Sequence, residues 1–306
     1  MGSSVYKVDF QQVREMRLSV IIPIYNVEGY LSRCLDSVIV ALGQLDVGWE
    51  SEVICIDDGS TDGSSAILRD YANRDSRIKL IEQENRGLAA ARNAGLDIAV
   101  GDWISFVDSD DWVEARYFKA MLNAAECEGA QMASVCTRTC PPEEYWCSHR
   151  GIPATAWGKA YRASLWGGVR FPNGRLHEDE FTVHRVVFKV DRVAGVEAQL
   201  YRYTHRSGSI MQNLDERNLR DWVEGCAAQA KYLKPISSRA YAVALAKKIQ
   251  AAHWLGCVDK NDVEEYGKVM GRRIGNYYWV ERYRHPILIN RVTWQIVKFA
   301  KRMFRI

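Results

Sequence analysis

Between residues 18 and 112, short apolar runs alternate with segments of helical spacing, and the runs end at clusters of polar residues. Leu18-Ser-Val-Ile-Ile-Pro-Ile24, Glu52-Val-Ile-Cys-Ile56, Ile78-Lys-Leu-Ile81 and Trp103-Ile-Ser-Phe-Val107 have the length and side-chain types of buried strands. Between the first two, Tyr30, Leu31, Cys34, Leu35, Val38 and Leu42 recur at helical intervals over Glu28–Leu42. A turn at Gly59-Ser60 leads to a helix over Asp62–Ala72, with Thr61 or Asp62 as N-cap, and a third helix covers Gly87–Ala99. This rhythm predicts an α/β fold with a mainly parallel central sheet and helices on both faces. Ligands of such sheets collect beyond the carboxyl ends of the strands. Tyr25-Asn26, Asp57-Asp58 and Asp108-Ser109-Asp110-Asp111 all fall there.

Further along, helices are expected over Glu114–Glu128 and Asp179–Lys189 and an extended stretch over Arg192–Tyr203, with a helical C-terminal region from Leu214. Residues 136–156, with Pro141-Pro142 and Pro153, read as loop. The expected organisation is an extension over 1–17, an α/β domain over 18–212 with halves at 18–112 and 113–212, and a helical region over 213–306. No internal repeat or low-complexity segment stands out.

Asp108, Asp110 and Asp111 place three carboxylates at the end of one strand. Carboxylates crowded in this way are stable when protonated, solvated or bridged by a cation. Hard oxygen ligands suit Mg2+ or Mn2+, ions that keep water and take substrate phosphates as further ligands. A solvated acidic turn is the plainer alternative for this spacing taken alone.

Four stretches in order then resemble family 2 glycosyltransferases of the GT-A, nucleotide-diphospho-sugar-dependent type. They are Leu18-Ser-Val-Ile-Ile-Pro-Ile-Tyr-Asn26, Ile56-Asp-Asp-Gly-Ser-Thr-Asp62, Asn85-Arg-Gly-Leu-Ala-Ala-Ala-Arg-Asn-Ala-Gly95 and Gly101-Asp-Trp-Ile-Ser-Phe-Val-Asp-Ser-Asp-Asp111. Trp157-Gly-Lys-Ala-Tyr161, His177-Glu-Asp-Glu180 and Tyr201-Arg-Tyr-Thr-His-Arg-Ser-Gly-Ser209 are similar to the family's later half.

The resemblance implies a metal-dependent inverting transfer of a sugar from a nucleotide donor, a UDP-sugar by expectation, to a hydroxyl of a glycan or lipid-linked acceptor. The implied setting is bacterial surface polysaccharide assembly at the cytoplasmic face of the inner membrane. Pro23, Tyr25, Asp57 and Arg92 map to the nucleotide pocket, with Asp57 reading the base. Core packing, turn capping and a surface salt bridge are the plainer alternatives for Pro23 and Tyr25, for Asp57, and for Arg92. Asp108, Ser109 and Asp110 map to the Asp-x-Asp element. Asp110 is expected on a Mn2+ or Mg2+ ion and Asp108 nearer the ribose or the metal's water. Asp111 is expected to cap the next helix. Glu178-Asp179 maps to the acidic pair in which Asp179 is the general base and Glu178 the fallback, an N-cap being the alternative for Asp179. Gly87 and Gly95 are expected to allow close backbone approach, because no Walker-type or dinucleotide glycine pattern is present.

Three departures from the family pattern matter. The stretch between the Asp-x-Asp strand and Trp157 is short, and the Cys136–Cys147 loop matches no family feature. The Gln-x-x-Arg-Trp signature of processive synthases is absent, which implies single-sugar addition. Two rival functions remain in view. A non-catalytic nucleotide- or glycan-binding paralogue would have lost Asp57, Asp108, Asp110 or Asp179. A sugar-1-phosphate nucleotidyltransferase would carry a Gly-rich loop with Arg after the first strand.

Charge and cysteines bound the setting. The net charge is +3, yet Arg282–Ile306 holds seven Lys/Arg and no acid, leaving −4 for the rest (34 − 38). Over Pro286–Ile306, helical spacing gathers Arg291, Lys298, Lys301, Arg302 and Arg305 opposite Leu288, Ile289, Val292, Ile296, Phe299, Met303 and Phe304. Such a helix suits an anionic membrane surface, or it packs on the domain with its basic face solvated. Nothing else in the chain supports a nucleic-acid partner. Eight cysteines without a regular framework suit a reducing cytoplasm. Cys136, Cys140, Cys147 and His149 fit no common zinc spacing.

Overall fold

A computed structural model describes residues 16–135, 138–147, 153–206 and 215–271. The first half follows the expected alternation: β1 (Met16–Ile24), α1 (Glu28–Leu42), β2 (Trp49–Asp57), α2 (Ser64–Arg74), β3 (Ile78–Glu82), α3 (Leu88–Ile98) and β4 (Trp103–Phe106). After it come β5 (Trp112–Val113), α4 (Tyr117–Cys127), β6 (Met132–Ser134), α5 (Pro142–Cys147), β7 (Lys159–Arg162), α6 (Val183–Val187), β8 (Ala194–Gly195) and β9 (Tyr201–Arg202). Three helices end the described chain, α7 (Glu216–Leu233), α8 (Ser238–Leu255) and α9 (Lys260–Gly271).

The main sheet has the order β3-β2-β1-β4-β7-β6-β8. β1 pairs parallel with β2 and β4, and β2 with β3, whereas β7 runs antiparallel between β4 and β6. β1 is buried almost throughout because helices cover both faces of a parallel sheet. Period-2 alternation divides its side chains between two cores. Leu18, Val20 and Ile22 pack with α1 and α4, while Ile21, Ile54, Ile56 and Phe106 pack with α3. The second core runs on through Trp166 and Phe171 into Ala230, Leu233, Ala240 and Leu245 of α7 and α8. The helical region therefore shares its apolar interior with the sheet.

Gly95 is where α3 meets that sheet. A Cβ there would lie 2.5 Å from Ile21 Cγ2 and 3.0 Å from Ile56 Cδ1, so glycine permits the approach. Gly87 differs from expectation. Nothing lies within 4 Å of a Cβ built on it, and it is the φ of +87° that calls for glycine.

Several boundaries depart from the sequence reading. α2 starts at Ser64 with Gly63 at the N-cap. Asp62 still serves helix starts, accepting the N–H of Ser64 (3.0 Å) and of Glu28 (3.1 Å). α4 starts at Tyr117 rather than Glu114, because Trp112-Val113 pairs with Tyr201-Arg202 as a two-stranded ribbon. Of 179–189 only Val183–Val187 is α-helical, and of 192–203 only two short strands are extended. Pro142–Cys147 is helical inside the expected loop. Its prolines precede and open the helix, where the missing N–H costs nothing, and Tyr145, Trp146 and Cys147 are buried. Cys140 and Cys147 are buried, while Cys136 and His149 lie outside the described residues. The basic segment 286–306 also lies outside them, and no described helix is long and apolar enough to cross a membrane.

Candidate active site

Strand register brings the polar clusters to one rim. Ile24 of β1 pairs with Asp57 of β2, and Ile21 is level with Phe106 of β4, two residues before Asp108. Asn26, at φ +50°, accepts the Thr61 N–H on Oδ1 (2.8 Å) and gives its own N–H to Ser60 Oγ (3.2 Å). The ends of β1 and β2 are thus stitched together. Tyr25 is exposed beside them and Pro23 is buried within β1.

Asp57 and Asp58 are both buried and both hold turns. Asp57 Oδ1 accepts the Ser60 N–H (2.9 Å) and Oδ2 the Ser65 hydroxyl. Asp58 accepts Gln83 Nε2 (2.6 Å) and the N–H groups of Arg86 (3.0 Å) and Gly87 (2.7 Å), fixing the entry to α3. Both aspartates thus hold turns, which is the turn-capping alternative for Asp57.

Arg92 corrects the surface-salt-bridge alternative. It is only 2% exposed, with Nη2 2.6 Å from Asp108 Oδ1, Nη1 on Glu178 Oε1 and its guanidinium carbon 5.6 Å from the centre of the Phe171 ring. One buried cation therefore joins the Asp-x-Asp turn to the acidic pair. Burial pushes the Asp108 carboxyl up against the opposing pull of Arg92. Glu178 is raised in the same way by burial.

Ser109 is buried within the aspartate turn. Asp110 Oδ2 lies 2.5 Å from Arg206 Nε, and Arg33 Nη2 reaches the Asp110 carbonyl (3.2 Å) and Thr204 Oγ1 (2.8 Å). Asp111 does not cap α4. Its Oδ2 accepts the Tyr201 hydroxyl (2.8 Å) and its Oδ1 the Thr204 N–H (2.7 Å), tying the turn to the segment after β9. Burial pushes Asp111 up to about 7. Tyr201 also accepts the Asp108 N–H (3.2 Å) and stacks on Trp157 at 4.5 Å. Tyr201, Thr204, Arg33 and Arg206 were not singled out from sequence. The density of aromatic and basic residues in Tyr201-Arg-Tyr-Thr-His-Arg206 is the signal that could have found the first, second and fourth.

Asp179 lies in the turn before α6, where its Oδ1 accepts the following N–H, that of Glu180 (2.9 Å). Burial, and then the Glu180 charge, raise its carboxyl. Rather than capping α6 it sits in a turn between Glu178, which faces Arg92, and Glu180, which faces α7 and α8.

A family model described as glycosyl transferase family 2 matches residues 19–191. The chain belongs to that family. Glycosyltransferase GlyA of Streptococcus pneumoniae is 31% identical over 248 residues, 71% of this chain and 34% of GlyA. The chain thus spans about a third of that relative's length. Among solved structures, S. aureus TarS 1–349 in complex with UDP-GlcNAc superimposes with TM-score 0.60 at 22% identity, covering 86% of this chain and 93% of that one. The mannosyltransferase PcManGT from Pyrobaculum calidifontis, in complex with GDP-Man and Mn2+, gives 0.56 at 19% identity, with 94% and 87% covered. The family and the GT-A fold expected from the motifs therefore hold.

Proposed function

We propose that this family 2 member is a metal-dependent inverting glycosyltransferase that moves a single sugar from a UDP-sugar to a hydroxyl of a glycan or lipid-linked acceptor. The observation that carries the reading is the placement of Asp108 and Glu178 on the two ends of the Arg92 guanidinium. A diphosphate site and an acceptor-side base must lie within one sugar's reach of each other, and a bridge from Asp108 to Glu178, the residue before Asp179, supports that reading. The TarS neighbour was solved with UDP-GlcNAc and the mannosyltransferase with GDP-Man and Mn2+, which supports a nucleotide-sugar donor and a divalent ion.

The donor set suits such an ion. Asp108 and Asp110 offer hard oxygens on one turn, and among the described residues no group of three or more His, Cys, Asp or Glu closes a protein-only cage. A Mn2+ or Mg2+ held there would neutralise charge on the leaving diphosphate. Arg206, paired with Asp110, would add a positive charge beside that diphosphate. Tyr25 and Asp57 frame the nucleoside, with Pro23 beneath. Asp179, raised by burial, takes the proton of the attacking hydroxyl, so the acceptor approaches from the α6 side. The basic segment 286–306 would hold the enzyme on an anionic membrane, at the cytoplasmic face in a bacterial polysaccharide pathway.

The test is a thermal-shift screen of UDP and UDP-sugars with and without Mn2+. Saturation at about 100 Kd should stabilise the protein by roughly 2.7 kcal/mol, and Asp110→Ala should abolish the Mn2+-dependent part. Equal UDP affinity with Mn2+ in both proteins would sink the metal assignment. Truncation after Tyr283 should release the protein from phosphatidylglycerol vesicles, and equal partitioning would refute the membrane role.

A further inference from the structure

The turn that carries Asp179 is held from behind by one face of α7 and by one lysine of α8. Leu176 gives its N–H to Asp221 Oδ2 (3.0 Å), whose Oδ1 takes Arg175 Nη1 (2.7 Å). His177 adopts a left-handed backbone, φ +53°, with its Nε2 2.7 Å from Asn218 Oδ1 and its ring stacked on Trp222 at 5.5 Å. A non-glycine residue in that region persists where its surroundings over-determine it, commonly at functional sites. On the far side of Asp179, both Glu180 oxygens receive Lys247 Nζ (2.8 and 2.9 Å). Gln229 Nε2 donates to the Glu180 carbonyl (2.9 Å) and to its carboxylate. Asn218, Asp221, Trp222 and Gln229 fall at helical intervals on one stripe of α7. Gly225 lies on the same stripe, and a Cβ there would stand 3.0 Å from Glu180 Cβ and 3.1 Å from Phe181 Cε2. The stripe is built for close approach to this turn.

We propose that the α7–α8 hairpin is a positioning clamp for the acceptor-side base, with Lys247 and Gln229 acting through Glu180 and with Asn218 and Trp222 acting through His177. The inference rests on reading Asp179 as that base. Among the described residues the Asp179 side chain is hydrogen-bonded only to the next N–H, so its direction is set by neighbours that are themselves fixed. Arg92 fixes Glu178 on the sheet side and Lys247 fixes Glu180 on the helix side. Lys247 also offsets the Glu180 charge, which would otherwise stand uncompensated beside Asp179. The helical region thereby becomes part of the catalytic apparatus without touching substrate.

The test compares Lys247→Met, Lys247→Arg and Gly225→Val in the full chain. UDP release from UDP-GlcNAc with Mn2+ is measured per UDP-binding site, along with UDP affinity and backbone hydrogen exchange over residues 176–182. Lys247→Met and Gly225→Val should lower kcat at least about tenfold with UDP affinity kept within about twofold, and Lys247→Arg should restore most of kcat. The amides of 177–180 should exchange about tenfold faster in the two disruptive variants. Unchanged kcat and exchange would overturn the clamp, as would a parallel loss of UDP affinity and kcat. If UDP-GlcNAc is not turned over, exchange alone decides: equal rates in wild type and both variants overturn the proposal. Asp179→Asn separates the two readings. Turnover surviving in Asp179→Asn but lost in Lys247→Met removes the Asp179 assignment and leaves the hairpin as a clamp on the turn, with Glu178 as the base. The reverse pattern removes the clamp and leaves the base.

Discussion

The Arg92 guanidinium lies 2.6 Å from the Asp108 carboxylate, the arginine buried in the fold and the carboxylate partly open at the rim. Arg92 comes from α3, which Gly95 lets settle against β1 and β2, so a packing detail of the sheet sets where the cation stands. Its second nitrogen meets Glu178, 86 residues later in the chain. A buried arginine with two acidic partners is fixed in direction as well as charge, because its planar fork has no other rotamer that serves both.

Removing that cation should therefore be costly. Arg92→Met leaves Asp108 and Glu178 without their shared partner, and breaking a buried pair in this way costs about 3–5 kcal/mol. Urea unfolding of the variant should show a loss of that order, with Arg92→Lys intermediate because one ammonium cannot serve both carboxylates in the same geometry. A loss below about 1 kcal/mol would mean the pair is solvent-screened.

Asp179→Asn should keep UDP binding and lose about 10²–10⁴-fold in transfer, the usual contribution of a general base. The base must be ionised to act. Burial raises its carboxyl, so the acid limb of kcat/KM should lie above the ordinary carboxylate range and fall as pH drops through it. An active Asp179→Asn enzyme would move the role to Glu178.

His184 offers a stability test away from the rim. Burial depresses it to about 4, between the rings of Trp146 and Tyr232. A histidine held neutral contributes stability that is complete above its unfolded value, near 6.5, and is lost as pH falls toward the folded value. Between pH 8 and pH 5 the loss from this group should be about 2 kcal/mol. His184→Phe should flatten the pH dependence of the unfolding free energy by that amount, and an unaltered slope would show that His184 is protonated without cost.

How much of this was readable in advance depends on the range of the forces involved. The four strands and three helices of the first half were legible because Leu18–Ile24 and its counterparts carry their periodicity locally. Rim placement followed from parallel topology, whereas the strand order, with β7 antiparallel between β4 and β6, has no local sign in the sequence. The fate of Asp111 was not legible, since its partners Tyr201 and Thr204 lie some ninety residues away and outcompete the nearby helix start. The burial of Arg92 as a bridge between two carboxylates was not legible, because a guanidinium gives no local sign of burial. The helix at Pro142–Cys147 was hidden by prolines that normally punctuate loops. The clamp on Glu180 depends on how α7 and α8 dock, which helical spacing cannot specify.

Tyr201 is the remaining test of how the aspartate turn is held. Its hydroxyl accepts from the Asp108 N–H and donates to Asp111, a carboxylate that burial already pushes up to about 7. Tyr201→Phe keeps the ring stacked on Trp157 but strips Asp111 of a donor. A buried acceptor left short of a partner costs about 1–3 kcal/mol. The variant should therefore unfold earlier on heating, and its affinity for UDP with Mn2+ should fall because Asp108 loses its backbone anchor. Trp157→Phe, which thins the stack but leaves the hydroxyl, should lose stability with UDP affinity largely kept. If both variants weaken UDP equally, the ring stack rather than the hydroxyl positions the turn, and the bridging role of Tyr201 fails.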